Sequence, residues 1–184
     1  MNIFSPFKSY NIILLISFAM ISNQSIAQNN NNVRISPKAA VMQTVGFTDV
    51  RIDYSRPGVK GRVIWGGLVP YNNVWRSGAD EATKITFVND VKINGKPLKA
   101  GSYSFFTIPT KNKWTLIFNY VAEQWGAFEY NESEDALRIE VTPEAGNMTE
   151  WLVYTITKTS DNSAVVKLEW EKLKIPFIID VSTK

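Results

Sequence analysis

Arg56, Arg62 and Arg76, with Trp65, Tyr71 and the adjacent acids Asp80 and Glu81, crowd into one stretch. Residues 54–84 read YSRPGVKGRVIWGGLVPYNNVWRSGADEATK and hold half of the chain's 10 glycines. Guanidinium groups fixed by a packed loop grip carboxylate, phosphate or sulfate oxygens in bidentate fashion. The same groups serve equally well to cap carbonyls or to pair with Asp53, Asp80 and Glu81, and that structural pairing is the commoner use. Trp65 and Tyr71 offer flat apolar faces edged with hydrogen-bond donors, which suit a sugar ring; packing against a core is the competing use of the same rings. Trp75, flanked by Val74, reads as a pin between loop and sheet.

The chain has no histidine and no cysteine. The commonest general base, the usual zinc ligands and the thiol nucleophile are therefore missing. Carboxylates and tyrosine still do acid/base work, so a histidine-free hydrolase or lyase acting through Glu81 stays open. It needs a second carboxylate, because Asp80 next to Glu81 on an extended segment points to the opposite side. Glu123, Glu129 and Asp135 are available for that role, with Tyr71 or Lys84 as helpers. No Asp/Asn run has calcium-loop spacing, so neither a metal nor a cofactor is expected.

The elements that must hold these residues are strands. Val50, Ile52 and Tyr54 alternate with Asp49, Arg51 and Asp53, and Ile85 and Phe87 with Lys84 and Thr86, the period of half-buried strands. The pattern continues through 102–108, 114–119, 135–142, 150–157, 164–170 and 177–181. Turn chemistry separates these segments at Asn94-Gly95, 109–112, 143–147 and 160–163, and the first is a strong two-residue hairpin signal. A helical period is nowhere sustained, beyond a short turn near Glu81 or at 131–135. The expected fold is all-β: an antiparallel two-sheet sandwich, jelly-roll-like, with one long ordered loop at 54–83. Loops of that length in compact domains are usually functional. Val59, Val63, Ile64, Leu68, Val69 and Val74 supply anchors that hold this one down. Trp114, Trp151 and Trp170, on strands among aliphatic residues, read as core.

The N-terminal residues place the domain in a compartment. Lys8, the apolar run 12–21 and the small residues Ser25 and Ala27 form a secretory signal, with cleavage expected after Ala27. The run is too short to span a bilayer, and no second apolar stretch of sufficient length follows. No cysteine is present to carry a lipid, so the expected product is periplasmic or secreted and soluble: a flexible polar segment at 28–34, then a single domain at 35–184 that rests on its core without disulfides. The formal charge of +3 becomes +2 once Lys8 is removed. The basic residues are scattered singly, which argues against a nucleic-acid partner.

Several short motifs recur together: Ser36-Pro37, Tyr54-Ser55-Arg56-Pro57, Gly61-Arg62, Val69-Pro70, Trp75-Arg76-Ser77-Gly78-Ala79-Asp80-Glu81-Ala82-Thr83, Gly95-Lys96 and Gly101-Ser102-Tyr103-Ser104. In these, over about residues 35–181, the chain resembles DUF2911, a bacterial family of unknown function common among exported proteins of the Bacteroidetes. The resemblance implies export and a mostly β fold and brings no established activity. The family pattern has Thr and Asn where this chain has Ser77 and Asp80, so the resemblance does not imply a required carboxylate at 80. It moves the weight to Arg56, Arg62, Arg76 and Glu81. An amidotransferase role would lack its terminal cysteine nucleophile here.

Three functions compete on this reading. The first is a binding module in which Arg56, Arg62, Trp65, Tyr71, Arg76 and Glu81 receive a small anionic or carbohydrate ligand. The second is a structural or assembly protein of the cell envelope whose loop merely closes one end of the sandwich, and the third is the carboxylate-dependent enzyme.

Overall fold

The computed structural model describes Met1 and residues 33–181. The expected leader and all but the last two residues of the polar segment lie outside the described residues.

Among the described residues ten strands form: β1 (Lys38–Val45), β2 (Thr48–Ser55), β3 (Thr83–Phe87), β4 (Val91–Ile93), β5 (Lys96–Leu98), β6 (Gly101–Pro109), β7 (Trp114–Asn119), β8 (Asp135–Val141), β9 (Glu144–Ser160) and β10 (Ser163–Val181). They assemble into a six-stranded sheet, β1-β2-β3-β6-β7-β8, and a four-stranded sheet, β5-β4-β10-β9, with every pair antiparallel. The two-sheet antiparallel sandwich is thus the fold. The β4–β5 hairpin turns on Asn94 and Gly95 with φ of 46° and 79°, the left-handed pair that matches strand twist. The turn at 131–135 is a single 3₁₀ turn, Glu132–Glu134, capped by the Asn131 side chain, which accepts from the Ser133 amide.

Period-two alternation sends Val50, Ile52, Ile85, Phe105 and Phe118 inward from the larger sheet and Tyr154, Leu168 and Phe177 from the smaller one, all buried. The inner faces meet ring on ring: Phe105 lies 5.6 Å from Phe177, and Tyr54 lies 4.8 Å from Tyr154.

Trp151, expected in the core, is exposed on β9 with Lys60 Nζ 5.4 Å from its ring, and two expected boundaries also fall differently. Of residues 143–147, expected as a turn, 144–147 open β9, and the separate strands expected at 164–170 and 177–181 are one strand, β10. A bulge at Glu171, with φ of 54°, keeps the strand running past the break in alternation. Pro176, which has no amide proton, sits where none is required, between the ladder to β9 that ends at Lys174 and the ladder to β4 that starts at Ile179.

The outer face of the larger sheet is partly covered. Phe106 and Ile117 point outward yet are fully buried, because Ala82 with Val74, Ala127 and Tyr130 packs over them. The long loop, now residues 56–82, and the segment 120–131 therefore meet on this face. The candidate site lies beside that meeting.

Candidate functional site

Two of the three loop arginines are committed to backbone. Arg56 donates from Nε to the Leu152 carbonyl at 2.8 Å, and Arg62 donates to the carbonyls of Val59 and Gly58 at 3.1 and 2.5 Å. Arg76 is half-buried, its Nε has no partner among the described residues, and burial pushes its pKa down against the opposing pull of Asp80. The three share no hydrogen-bond partner among the described residues.

The aromatic residues of the loop also separate. Trp65 turns inward and meets the rings of Trp114, Trp170 and Trp75 edge-on at 4.9, 5.7 and 5.8 Å, while Trp75 stacks on Trp170 at 5.8 Å. Tyr71 lies against Gly66 at the loop surface. No shared aromatic platform forms. A tight turn at 63–69 causes the inward fold: the Gly66 and Leu68 amides donate to the Val69 and Val63 carbonyls at 2.9 and 3.0 Å, which brings Trp65 over the core.

The WRSGADEAT motif is a second compact turn. Ser77 and Asp80 take left-handed φ of 55° and 57°, a region that short polar side chains enter most easily. The Ser77 carbonyl accepts from Thr83 Oγ1 at 2.9 Å and from the buried Tyr154 hydroxyl at 2.8 Å, and the Trp75 indole donates to the Gly78 carbonyl at 3.1 Å. The left-handed backbone at position 80 is one that Asp and Asn both adopt readily. The turn also brings Asp80 and Glu81 onto the same partner, although an extended segment would hold them apart. Arg34 grips Glu81 with two bonds of 3.1 and 2.6 Å and reaches Asp80 at 3.3 Å.

Glu81 stands at the wall of an open cleft of about 720 Å³ lined by residues 38–40, 51, 53–55, 81, 82, 84 and 122–125. That size falls within the range of about 300–1,000 Å³ of small-molecule sites. The floor is the outer face of β1, β2 and β3. Register places Ala40, Asp53, Lys84, Ser104 and Asn119 side by side across five strands, a polar row running from solvent to full burial. The far wall is fixed by backbone: the Ala82 amide donates to the Gln124 carbonyl at 2.9 Å and the Gly126 amide to the Asp80 carbonyl at 3.0 Å. This pairing holds Trp125, 60% exposed, at the lip. Gln124, buried beneath it, donates from Nε2 to Ser104 Oγ, Asn119 Oδ1 and the Val121 carbonyl at 3.1, 3.2 and 2.9 Å.

Charges in the cleft come in pairs: Lys38–Glu81 at 3.0 Å, Arg51–Asp53 at 2.6 Å and Lys84–Glu123 at 2.9 Å. The Arg34 bond above all holds the Glu81 carboxyl down at about 2, against an ordinary value of 4.5. Because the folded value lies below the unfolded one, the stabilisation is complete above the unfolded pKa and is lost as pH falls through 4.5 towards 2. Glu81 is 38% exposed, so solvent screening leaves about 1 kcal/mol. The expected result is that Glu81→Gln lowers the thermal midpoint by about 2–4 °C at neutral pH. That deficit should vanish by about pH 2 in calorimetric scans; a pH-independent deficit would mean that the ion pair is not its source.

Glu81 alone of the sequence-selected site residues lines the cleft; Asp80 joins it through Arg34. The sequence reading misses Arg34, Lys38, Arg51, Gln124 and Trp125, while it holds Asp53 as an ion-pair partner, Glu123 as a second carboxylate and Lys84 as a catalytic helper. One signal was readable: Gln124-Trp125-Gly126 lies between strands, where the alternation is interrupted.

The fold and cleft define a class: an antiparallel β-sandwich with a walled, charge-paired groove on the outer face of its larger sheet. Residues 36–179 match the family model described as "Protein of unknown function (DUF2911)", and the chain belongs to that family. No curated protein and no solved structure matches it. Among the described residues, no group of three or more carboxylates is placed to hold a metal ion, and no helix is long and apolar enough to cross a membrane.

Proposed function

We propose that the domain is an exported binding module for a small sugar-like or anionic ligand, received in the cleft beside Glu81 and Trp125. Export rests on the leader pattern of residues 1–27. The observation that carries the binding reading is the cleft itself: a concave site with an exposed tryptophan and convergent polar groups, the usual composition of small-ligand sites. The loop that drew attention in the sequence contributes Glu81 directly and otherwise serves as the scaffold of the wall. Catalysis has less support. A carboxyl group held at about 2 by Arg34 is no proton donor near neutrality and is a weak base.

Titration of glucose, N-acetylglucosamine, glucuronate, citrate and inorganic phosphate against isotope-labelled protein tests this reading. The expected result is amide shifts clustered at residues 38–40, 51–55, 81–84 and 122–125 for at least one probe. Shifts confined to other surfaces, or none with any probe, would overturn it. A structural role in the envelope is the second reading, favoured by the exposure of Tyr120, Val121, Trp125 and Phe128 in one short segment. Self-association in sedimentation that Phe128→Ala abolishes, without probe binding, would put that reading first.

A further inference from the structure

We infer that the ligand of the cleft is a neutral, hydroxyl-rich ring, a sugar residue stacked on Trp125 and read by Gln124, and not a free anion. The inference rests on the reading of the cleft as a ligand site and names its chemistry.

Charge balance is the first argument. The charged side chains that line the cleft are Lys38, Arg51 and Lys84 against Asp53, Glu81 and Glu123. Each cation already has a carboxylate within 3.0 Å. An entering anion finds no cation without a carboxylate beside it, so every attraction it gains is opposed by the repulsion of that carboxylate. A sugar hydroxyl meets no such conflict, because it donates to the carboxylate and accepts from the ammonium of one intact pair. The neighbours Asp53 and Lys84 present acceptor and donor side by side on the cleft floor.

Gln124 supplies the second, independent observation. The residue is 9% exposed and lines the cleft, and its Nε2 serves three acceptors, which fixes the orientation of the amide. The Oε1 has no hydrogen-bond partner among the described residues. A buried unpaired carbonyl is costly, on the order of 1–3 kcal/mol. What it accepts is an O–H or N–H donor. Hydroxyls provide one; sulfate and ionised carboxylate groups provide none, and phosphate near neutrality only through its remaining P–OH.

Trp125 is the third. Its backbone is fixed by the pairing of residues 124–126 with 80–82, yet its ring stands in solvent at the lip. A rigid exposed indole with a polar groove beneath it suits the apolar face of a pyranose, whose edge hydroxyls then point to the floor. The small side chains of Ala40, Ala82 and Ala122 leave room for the ring between them.

The test titrates glucose, N-acetylglucosamine, galactose, mannose and xylose, with phosphate and citrate as anion probes, by amide shifts and Trp fluorescence in wild type and in Trp125→Ala. Trp125 is exposed, so its removal leaves the core intact; a matched thermal midpoint verifies this. The expected result has two parts. At least one neutral sugar moves the cleft amides, with affinity that changes less than about twofold up to about 1 M salt, where screening is nearly complete. In Trp125→Ala that affinity falls about tenfold or more, the equivalent of about 1.4 kcal/mol of lost contact. Gln124→Met, as the second variant, is expected to weaken the same sugar. If phosphate or citrate moves these amides with a steep salt dependence and the sugars do not, the sugar inference falls while the cleft stands as a ligand site. Sugar binding at the cleft untouched by Trp125→Ala overturns the stacking and with it this inference. Silence of the cleft toward every probe overturns both readings.

Discussion

Trp75→Ala is expected to lower the thermal midpoint by about 10 °C, the largest loss predicted for a single side chain of the long loop. The ring is 8% exposed, stacks on Trp170 at 5.8 Å with its plane tilted 20°, and meets Trp65 edge-on. Its indole N–H donates to the Gly78 carbonyl at 3.1 Å, so truncation also strips a bond from the turn that carries Ser77 and Asp80. Removal of a buried Trp costs about 3–5 kcal/mol, and each kcal/mol moves the midpoint of a domain of this size by about 2–4 °C. The backbone bonds of Trp75 to Thr107, 2.7 and 2.8 Å, survive the change, so the protein should still fold and calorimetry can read the loss. A shift under about 3 °C would mean that the tryptophan cluster is not what pins the loop.

If Trp75 holds the loop, the density of unusual residues in 54–84 has a structural cause. The stretch must leave β2, cross the end of the sandwich and return to β3, and it crosses mainly as tight turns. Left-handed backbone at Ser77 and Asp80, carbonyls capped by Arg56 and Arg62, and inward indoles at Trp65 and Trp75 are what such a crossing requires. The chemistry sits at its exit, where Glu81 leaves the second turn and faces the cleft.

How much of this is legible in the sequence follows from the range of each interaction. Alternation at Val50, Ile52 and Tyr54 and the Asn94-Gly95 turn are local, and both strands and hairpin are where the residues put them. The continuity of β10 is not local. It depends on a bulge at Glu171 and on Pro176 falling between two ladders, and neither is visible without the partner strands. The cleft is less local still. Ala40, Asp53 and Lys84 become neighbours only through register across three strands, and Gln124 and Trp125 join them only because residues 124–126 pair with 80–82. Arginine and tryptophan stand out by rarity, whereas a lysine, an aspartate and a glutamine from separate strands do not. Rarity in the sequence marked the scaffold, and register made the site.

Gly67→Ala should destabilise the protein by about 2–3 kcal/mol, a midpoint loss of about 5–10 °C, and should do so through contact with backbone rather than through φ. A Cβ built on Gly67 would lie 2.5 Å from the Val63 carbonyl oxygen and 3.2 Å from the Val63 carbonyl carbon and Cβ. That oxygen accepts from the Leu68 amide at 3.0 Å, so it cannot move away without opening the turn. Ile64 and Val69, each 2% exposed, anchor the turn on either side, and the Val69 amide bonds to the Ile64 carbonyl at 2.9 Å. The strain must therefore pass into the turn that folds Trp65 inward. Gly61→Ala is the control. Gly61 has φ of 68° with nothing within 4 Å of the added carbon, so its cost is the left-handed backbone alone, about 1 kcal/mol. The larger loss at Gly67 should come with a red shift of Trp fluorescence as Trp65 meets water, and Gly61→Ala should show none. Equal losses at the two positions, or a large loss at Gly67 with unchanged fluorescence, would mean that the 63–69 turn does not set the position of Trp65.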